Sequence, residues 1–340
     1  MSQLAPMYVY IESNLWLSVL VLAVAFLILA KCADAFVDSS VSLARKMNIP
    51  KLVVGIVLVS LATTAPELSV SLMSAFQGKP EMALGNAIGS VICDDGLALA
   101  LAGVFSVAPI MIMPRILKTS GVFLLMIQLL TFAFVFPNFT LDRWEGGVLV
   151  SLFLGYIVML YVQHKRGHFK EDIELEEVSD IMDSPIPKIA VVFALSLLGI
   201  IVSSRFVIVS ATGIARALNV PDTIIALTMV ALGTSIPEVA TCIVAARKNE
   251  GAIAVGNIIG ADIMNICWVA GASALANPLQ LTPTGTYFMF PAMFVIVGAM
   301  LIMLRMGYRL TKAKGLVLFS LYVIYLYLVF FVVDFTPVHI

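Results

Sequence analysis

Ten apolar runs, each long enough to cross a lipid bilayer, constrain this chain more than any other feature. They lie at 14–44, 52–77, 82–112, 116–136, 144–163, 188–216, 222–246, 252–276, 284–304 and 313–334. A helix rises 1.5 Å per residue and the hydrocarbon core is about 30 Å thick, so about 20 residues suffice for a span. The first run would reach about 46 Å as a helix, which predicts a tilted or projecting segment. Of the 340 residues, 61% are hydrophobic and 12% charged. A soluble domain carries about 25% charge, and so large an apolar excess cannot sit in a water-facing core. The expected class is therefore an all-α polytopic membrane protein. The first basic residue is Lys31 and no small-residue cleavage site follows the first run, so that run is expected to remain as a span.

Basic residues orient the spans. With both termini outside, 15 of the 20 Lys and Arg fall on the cytoplasmic side, among them Arg45, Lys46, Lys51, Arg115, Lys118, Arg247, Lys248 and Arg305. The positive-inside rule favours that arrangement. One polar stretch, 164–187, separates residues 1–163 from 188–340 and is expected to be a cytoplasmic linker. Its acidic run Glu171–Glu177 lacks the turn glycine of a calcium loop and reads as a solvated connector.

A shift of 171 residues superimposes two parts of the chain without a gap. Pro50 falls on Pro221. Thr63, Pro66 and Glu67 fall on Thr234, Pro237 and Glu238. Gly85, Asn86 and Gly89 fall on Gly256, Asn257 and Gly260. Each half holds five runs, an odd number, so the second copy must enter the membrane with opposite polarity. The expectation is two inverted five-helix repeats, with long tilted first and sixth helices.

The repeated motif is rich in oxygen. Ser60, Thr63, Thr64, Glu67 and Ser71 share one helical face, and the matching face carries Ala231, Thr234, Ser235, Glu238 and Cys242. Pro66 and Pro237 lack an N–H and each frees a carbonyl about one turn earlier. The next span of each half adds Asn86, Ser90 and Asp94, or Asn257, Ala261 and Asn265. The glycines spaced G-x-x-x-G allow close helix approach. These spans contain no Lys or Arg in their interiors, so Glu67, Glu238 and Asp94 must find their partner in solution, as a metal ion or a proton. Carboxylate, hydroxyl, amide and carbonyl oxygens are hard ligands suited to Ca²⁺ and Na⁺. Asp95 and Asp262 have no acidic counterpart under the shift and read as lining residues. Lys31 and Asp34 are spaced to pair with each other.

Several classes are excluded. A net charge of −1 and the lack of a basic patch argue against nucleic-acid binding. Cys32, Cys93, Cys242 and Cys267 form no short-spaced pair, and the three histidines fall outside the spans. No H-E-x-x-H motif suggests a zinc protease. No cofactor is expected, and the partners are inorganic cations and the lipid bilayer.

The stretches SLATTAPELSVS with ALGNAIGSVICDD, and ALGTSIPEVATC with AVGNIIGADIMNI, resemble the two α-repeats of the calcium/cation antiporter superfamily. The prokaryotic sodium/calcium exchanger branch is the most similar. The resemblance implies a transporter rather than an enzyme, exchanging Ca²⁺ for Na⁺ by alternating access in a plasma or bacterial inner membrane. It implies Glu67, Thr63, Glu238 and Thr234 as Ca²⁺ ligands. It places Ser90 among the Na⁺ ligands, with Ser60 and Ala231 contributing through their backbones. Ala261 stands where the family has a second serine, and Asp94 and Asn265 differ between the repeats. Proton-coupled or K⁺-dependent exchange therefore stays open as an alternative, and a passive channel is a further one.

Overall fold

The computed structural model describes residues 5–47, 49–165, 184–218 and 232–332. The protein is almost wholly helical. A short helix, α1 (Ala5–Glu12), precedes a long one, α2 (Leu15–Lys46). Asn14 caps α2 by accepting the Leu17 N–H. One turn of helix, Lys51–Val54, leads into α3 (Gly55–Thr63). Then come α4 (Ala65–Phe76), α5 (Pro80–Phe105), α6 (Pro114–Val135) and α7 (Arg143–Lys165). The second half holds α8 (Ile186–Ala217), α9 (Ile236–Arg247), α10 (Gly251–Ala276), α11 (Pro283–Arg305) and α12 (Lys312–Phe331).

Among the described residues, eight helices are long and apolar enough to cross a membrane, or nine if α3 and α4 count as one broken span. The chain is thus a multi-pass membrane protein. The seventh apolar run, 222–246, is described only from residue 232 onward. The linker is described only at its edges, and its acidic stretch lies outside the described residues.

The expected second span is bent rather than straight. α3 and α4 meet at 50°. The break falls at Thr64, where Pro66 starts the new helix without an N–H for the carbonyl one turn back. α9 likewise begins with Pro237 in its first turn.

Helix limits repeat at one offset. α2 and α8 are both 32 residues long, and α4 and α9 both 12. Inside α5 and α10 the backbone turns π-helical at Asp94–Leu99 and Asn265–Ala270, again in register. π-helical turns widen a helix and often mark functional sites. Two short antiparallel ladders tie the halves together. β1 (Ile110–Met111) pairs with β4 (Arg309–Leu310), and β2 (Thr140–Leu141) pairs with β3 (Leu279–Gln280).

α5 and α10 form the centre: 78% and 89% of their most apolar stretches are buried, against 17% for α2. α2 and α8 pack chiefly along each other. α2 turns Leu20, Phe26 and Leu27 outward, as expected of a face that meets lipid. Asp34 does not pair with Lys31. Lys248, at the end of α9, reaches it at 3.7 Å and Asp38 at 2.7 Å. The sequence spacing missed this because the partner comes from another helix.

α3 lies against α10 with almost no side-chain layer between them. A Cβ on Gly260 would stand 2.3 Å from the Ile56 carbonyl oxygen, and one on Gly55 would stand 2.8 Å from that of Ile253. The glycines therefore set how closely the oxygen-bearing α3 approaches the central helix.

Candidate cation site

The breaks between α3 and α4 and ahead of α9 bring residues of both halves to the centre of the bundle. Thr63, Glu67, Thr234 and Glu238 are all buried. Their hydrogen bonds cross between the halves in matched pairs. The Thr63 hydroxyl donates to Asn257 Oδ1 at 3.2 Å, and the Thr234 hydroxyl donates to Asn86 Oδ1 at 3.3 Å. The Asn86 amide donates to Ser71 Oγ at 3.0 Å and to the Glu67 carbonyl at 3.3 Å. The Asn257 amide faces Cys242 Sγ at 3.6 Å, the place of Ser71 in the other half. Ser71 and Cys242 then donate to the carbonyls of Ala83 and Ala254.

Asp94 and Asn265 meet directly. The Asn265 amide donates to Asp94 Oδ2 at 3.3 Å, across a separation of 171 residues. That separation is the same offset that relates the matched helix limits.

The network leaves one set of oxygens without hydrogens. Glu67 and Glu238 have both carboxylate oxygens buried and unpartnered. Thr63 stands beside Glu238, and Thr234 and Ser235 beside Glu67. The Thr63 and Thr234 hydroxyls also reach the asparagines, and Thr63 lies 3.4 Å from the Ser60 carbonyl as well. Asp94 Oδ1, Asn265 Oδ1, Ser90 Oγ and Ser235 Oγ are also unpartnered. Asp94 is near enough to both glutamates to repel them. No Lys, Arg or His is buried among the described residues. Unpaired buried carboxylates cost several kcal/mol each, so the arrangement requires positive charge from outside.

The remaining candidates divide. Thr64 donates to the Ser60 carbonyl at 2.7 Å and faces Met264 Sδ at 3.5 Å. The Ser60 carbonyl also accepts the Thr64 N–H, and the Ser60 hydroxyl donates to Ile56. Ser60 is therefore engaged within α3. Ala231 lies outside the described residues. Ala261 is buried and offers no side-chain oxygen. Among the described residues no three Asp, Glu, Cys or His side chains close on one point as a metal cage. A bound cation must draw on hydroxyl, amide and carbonyl oxygens as well, in keeping with the six to eight oxygens that Ca²⁺ takes.

Two contacts could not be foreseen from the sequence. Met264 and Cys242 place sulfur around the site; Cys242 was visible as the counterpart of Ser71, but the Met264 contact crosses between halves. Asp95 and Asp262 also face each other from α5 and α10.

A helical membrane bundle with buried, unpaired oxygens at its centre defines a cation-handling membrane protein. The comparisons identify its kind: the chain belongs to the sodium/calcium exchanger protein family, whose model matches residues 17–162 and 188–331. Members of this family are transporters, not enzymes. The chain is 29% identical to the sodium/calcium exchanger MaX1 of Methanosarcina acetivorans, covering 92% of this chain and 98% of that one. It is 30% identical to the putative antiporter CaxA of Alkalimonas amylolytica, over 90% and 97%. It is 32% identical to the inner membrane protein YrbG of Escherichia coli, over 78% and 82%. A solved structure of the sodium-calcium exchanger NCX_Mj, soaked with Na⁺ and Sr²⁺, matches with a TM-score of 0.76 at 26% identity. That match covers 92% of this chain and 98% of that one.

Proposed function

We propose that the protein exchanges Ca²⁺ for Na⁺ across a plasma or bacterial inner membrane. The observation that carries this reading is the pair of buried glutamates, Glu67 and Glu238, with no basic side chain buried near them among the described residues and no hydrogen bond made by their four carboxylate oxygens. Ca²⁺ and Na⁺ compete for these carboxylates. Thr63, Thr234, Thr64, Ser235, Ser90, Asp94 and Asn265 supply further oxygens. The empty site carries charge that resists crossing the barrier, which makes exchange obligatory.

The working architecture is ten helices in two inverted repeats, 1–163 and 188–340, joined by a cytoplasmic linker, 164–187, with both termini outside. The matched helix limits and the crossed threonine–asparagine bonds support it. Access alternates when α2 and α8 slide as a unit against the remaining helices. Their close mutual packing supports a rigid pair.

The test is radiolabelled Ca²⁺ uptake into vesicles against an opposing Na⁺ gradient. Uptake should require the gradient and disappear in Glu67→Gln and Glu238→Gln. Uptake that survives both substitutions would remove the proposed site, and uptake indifferent to Na⁺ but driven by a proton gradient would reassign the counter-ion.

A further inference from the structure

Three charged side chains meet where the long helix α2 passes the end of α9. Lys248, the first residue after α9, directs its ammonium to Asp38 Oδ1 at 2.7 Å, to Asp34 Oδ1 at 3.7 Å and to the Asp34 carbonyl at 3.3 Å. Asp34 and Asp38 stand one turn apart on the same face of α2, about 6 Å along its axis. Lys31 precedes Asp34 and Arg45 follows Asp38 on that face. Along α2 the charges therefore read positive, negative, negative, positive. Lys248 belongs to the opposing body. Two residues on, Glu250 pairs with Lys51 at 2.7 Å, which ties the turn between α9 and α10 to the approach to α3 in the other half. Asn249, between them, adopts a left-handed backbone with φ 60° and keeps that turn short. The ammonium is thus fixed to the helices that hold Glu67 and Glu238, while both of its partners ride on α2.

We propose that Lys248 with Asp34 and Asp38 forms a two-position track that sets the length of the slide between access states. In the arrangement described, Lys248 holds Asp38, and Asp34 waits one turn behind. A slide of α2 by about one turn, about 6 Å, puts Asp34 where Asp38 now stands. The ammonium changes partner and is paired at both ends of the movement. Further travel brings it toward Lys31 in one direction or Arg45 in the other, and like charges oppose it. Lys248 and Asp38 are about one-third exposed, so the contact is weak enough to break in every cycle. The repeat does not copy the device: Arg205, Val209 and Gln77 stand at the places matching Asp34, Asp38 and Lys248. The track rests on the exchange reading above, in which α2 and α8 slide against the other helices.

The test is the apparent KM for Ca²⁺ on each face of the membrane, from Na⁺-driven exchange in right-side-out and inside-out vesicles. The apparent constant on either face rises as the state open to that face becomes rarer, so the ratio of the two values reports the balance of access states. Asp38→Asn weakens the position described, and Asp34→Asn weakens the other. They should move the ratio in opposite directions, each by about 2- to 5-fold, the most that a part-exposed ion pair supplies. In a Lys248→Gln background both shifts should vanish, and in a Lys248→Arg background both should return. All three side chains are partly exposed, so the variants should retain the fold, with melting in detergent as the check. A pair that only stabilises the fold would change melting and leave the ratio at its wild-type value. Unmoved ratios, shifts of one sign, or shifts that persist in Lys248→Gln would overturn the track. Such a result with exchange abolished in Glu67→Gln removes the track alone. Exchange that survives Glu67→Gln removes the reading beneath it.

Discussion

Replacing Gly260 by alanine tests whether the approach of α3 to α10 sets the geometry of the site. The new Cβ would stand 2.3 Å from the Ile56 carbonyl oxygen and 2.5 Å from Ser60 Oγ, where 3.4–4 Å is ordinary contact. Neither neighbour is the far end of a flexible chain: one is backbone and the other is already bonded back to it. α3 must therefore retreat by about 1 Å. Overpacking of this kind costs about 1–3 kcal/mol. Thr63 rides on the same helix and bonds Asn257 on α10 at 3.2 Å, so the shift breaks that contact as well. Gly298→Ala is the control, since a Cβ there meets nothing within 4 Å. We expect Gly260→Ala to lower the melting temperature in detergent and to weaken Ca²⁺ binding by about 5- to 150-fold if the whole cost falls on the bound state. Gly298→Ala should leave both unchanged or raise stability slightly, as alanine outranks glycine in a helix. Wild-type binding and melting in Gly260→Ala would refute the argument from close approach.

Other consequences follow from the same geometry. Cys242→Ser should cost under about 1 kcal/mol of stability, because a hydroxyl can make the contacts to Asn257 and Ala254 that Ser71 makes to Asn86 and Ala83; a loss as large as that of Asn257→Ala in thermal melting would contradict the matched roles. Asn86→Ala should destabilise by about 1–3 kcal/mol in thermal melting, because it removes the buried hydrogen bonds of the Asn86 amide with Ser71 Oγ, the Glu67 carbonyl and the Thr234 hydroxyl. Asp94→Asn keeps a partner for the Asn265 amide and removes one charge from the site. It should weaken Ca²⁺ binding measured by calorimetry while the melting temperature holds, and an unchanged affinity would place Asp94 outside the ion's reach. Lys248→Met removes an ion pair whose members are about one-third exposed. It should change stability by no more than about 1 kcal/mol, with any larger effect appearing in the rate of exchange, because the pair joins α9 to the long helix α2.

Much of this was legible in the sequence because the bilayer and the repeat each leave a periodic trace. The run at 14–44 became α2 nearly residue for residue, and that at 188–216 became α8. The prolines pointed to the backbone breaks, and the shift that aligned Glu67 with Glu238 also aligned the asparagines that hold their threonines. Other features leave no such trace. α1 is short and precedes the first run, and the two-residue ladders form only once the loops are brought together. The π-helical turns at Asp94 and Asn265 depend on how α5 and α10 pack. Asp34 found Lys248 rather than its neighbour Lys31. Asp95 and Asp262 match apolar residues under the shift, so only the folded bundle brings them face to face.

The central claim is that one Ca²⁺ sits between the carboxylates of Glu67 and Glu238. The direct measurement is anomalous X-ray density from crystals grown with Ca²⁺. The account predicts a single strong peak within about 2.3–2.6 Å of oxygens from both glutamates, displaced when Na⁺ is raised. A Ca²⁺ peak that touches neither glutamate, or one that persists undiminished in crystals of Glu67→Gln, would contradict it.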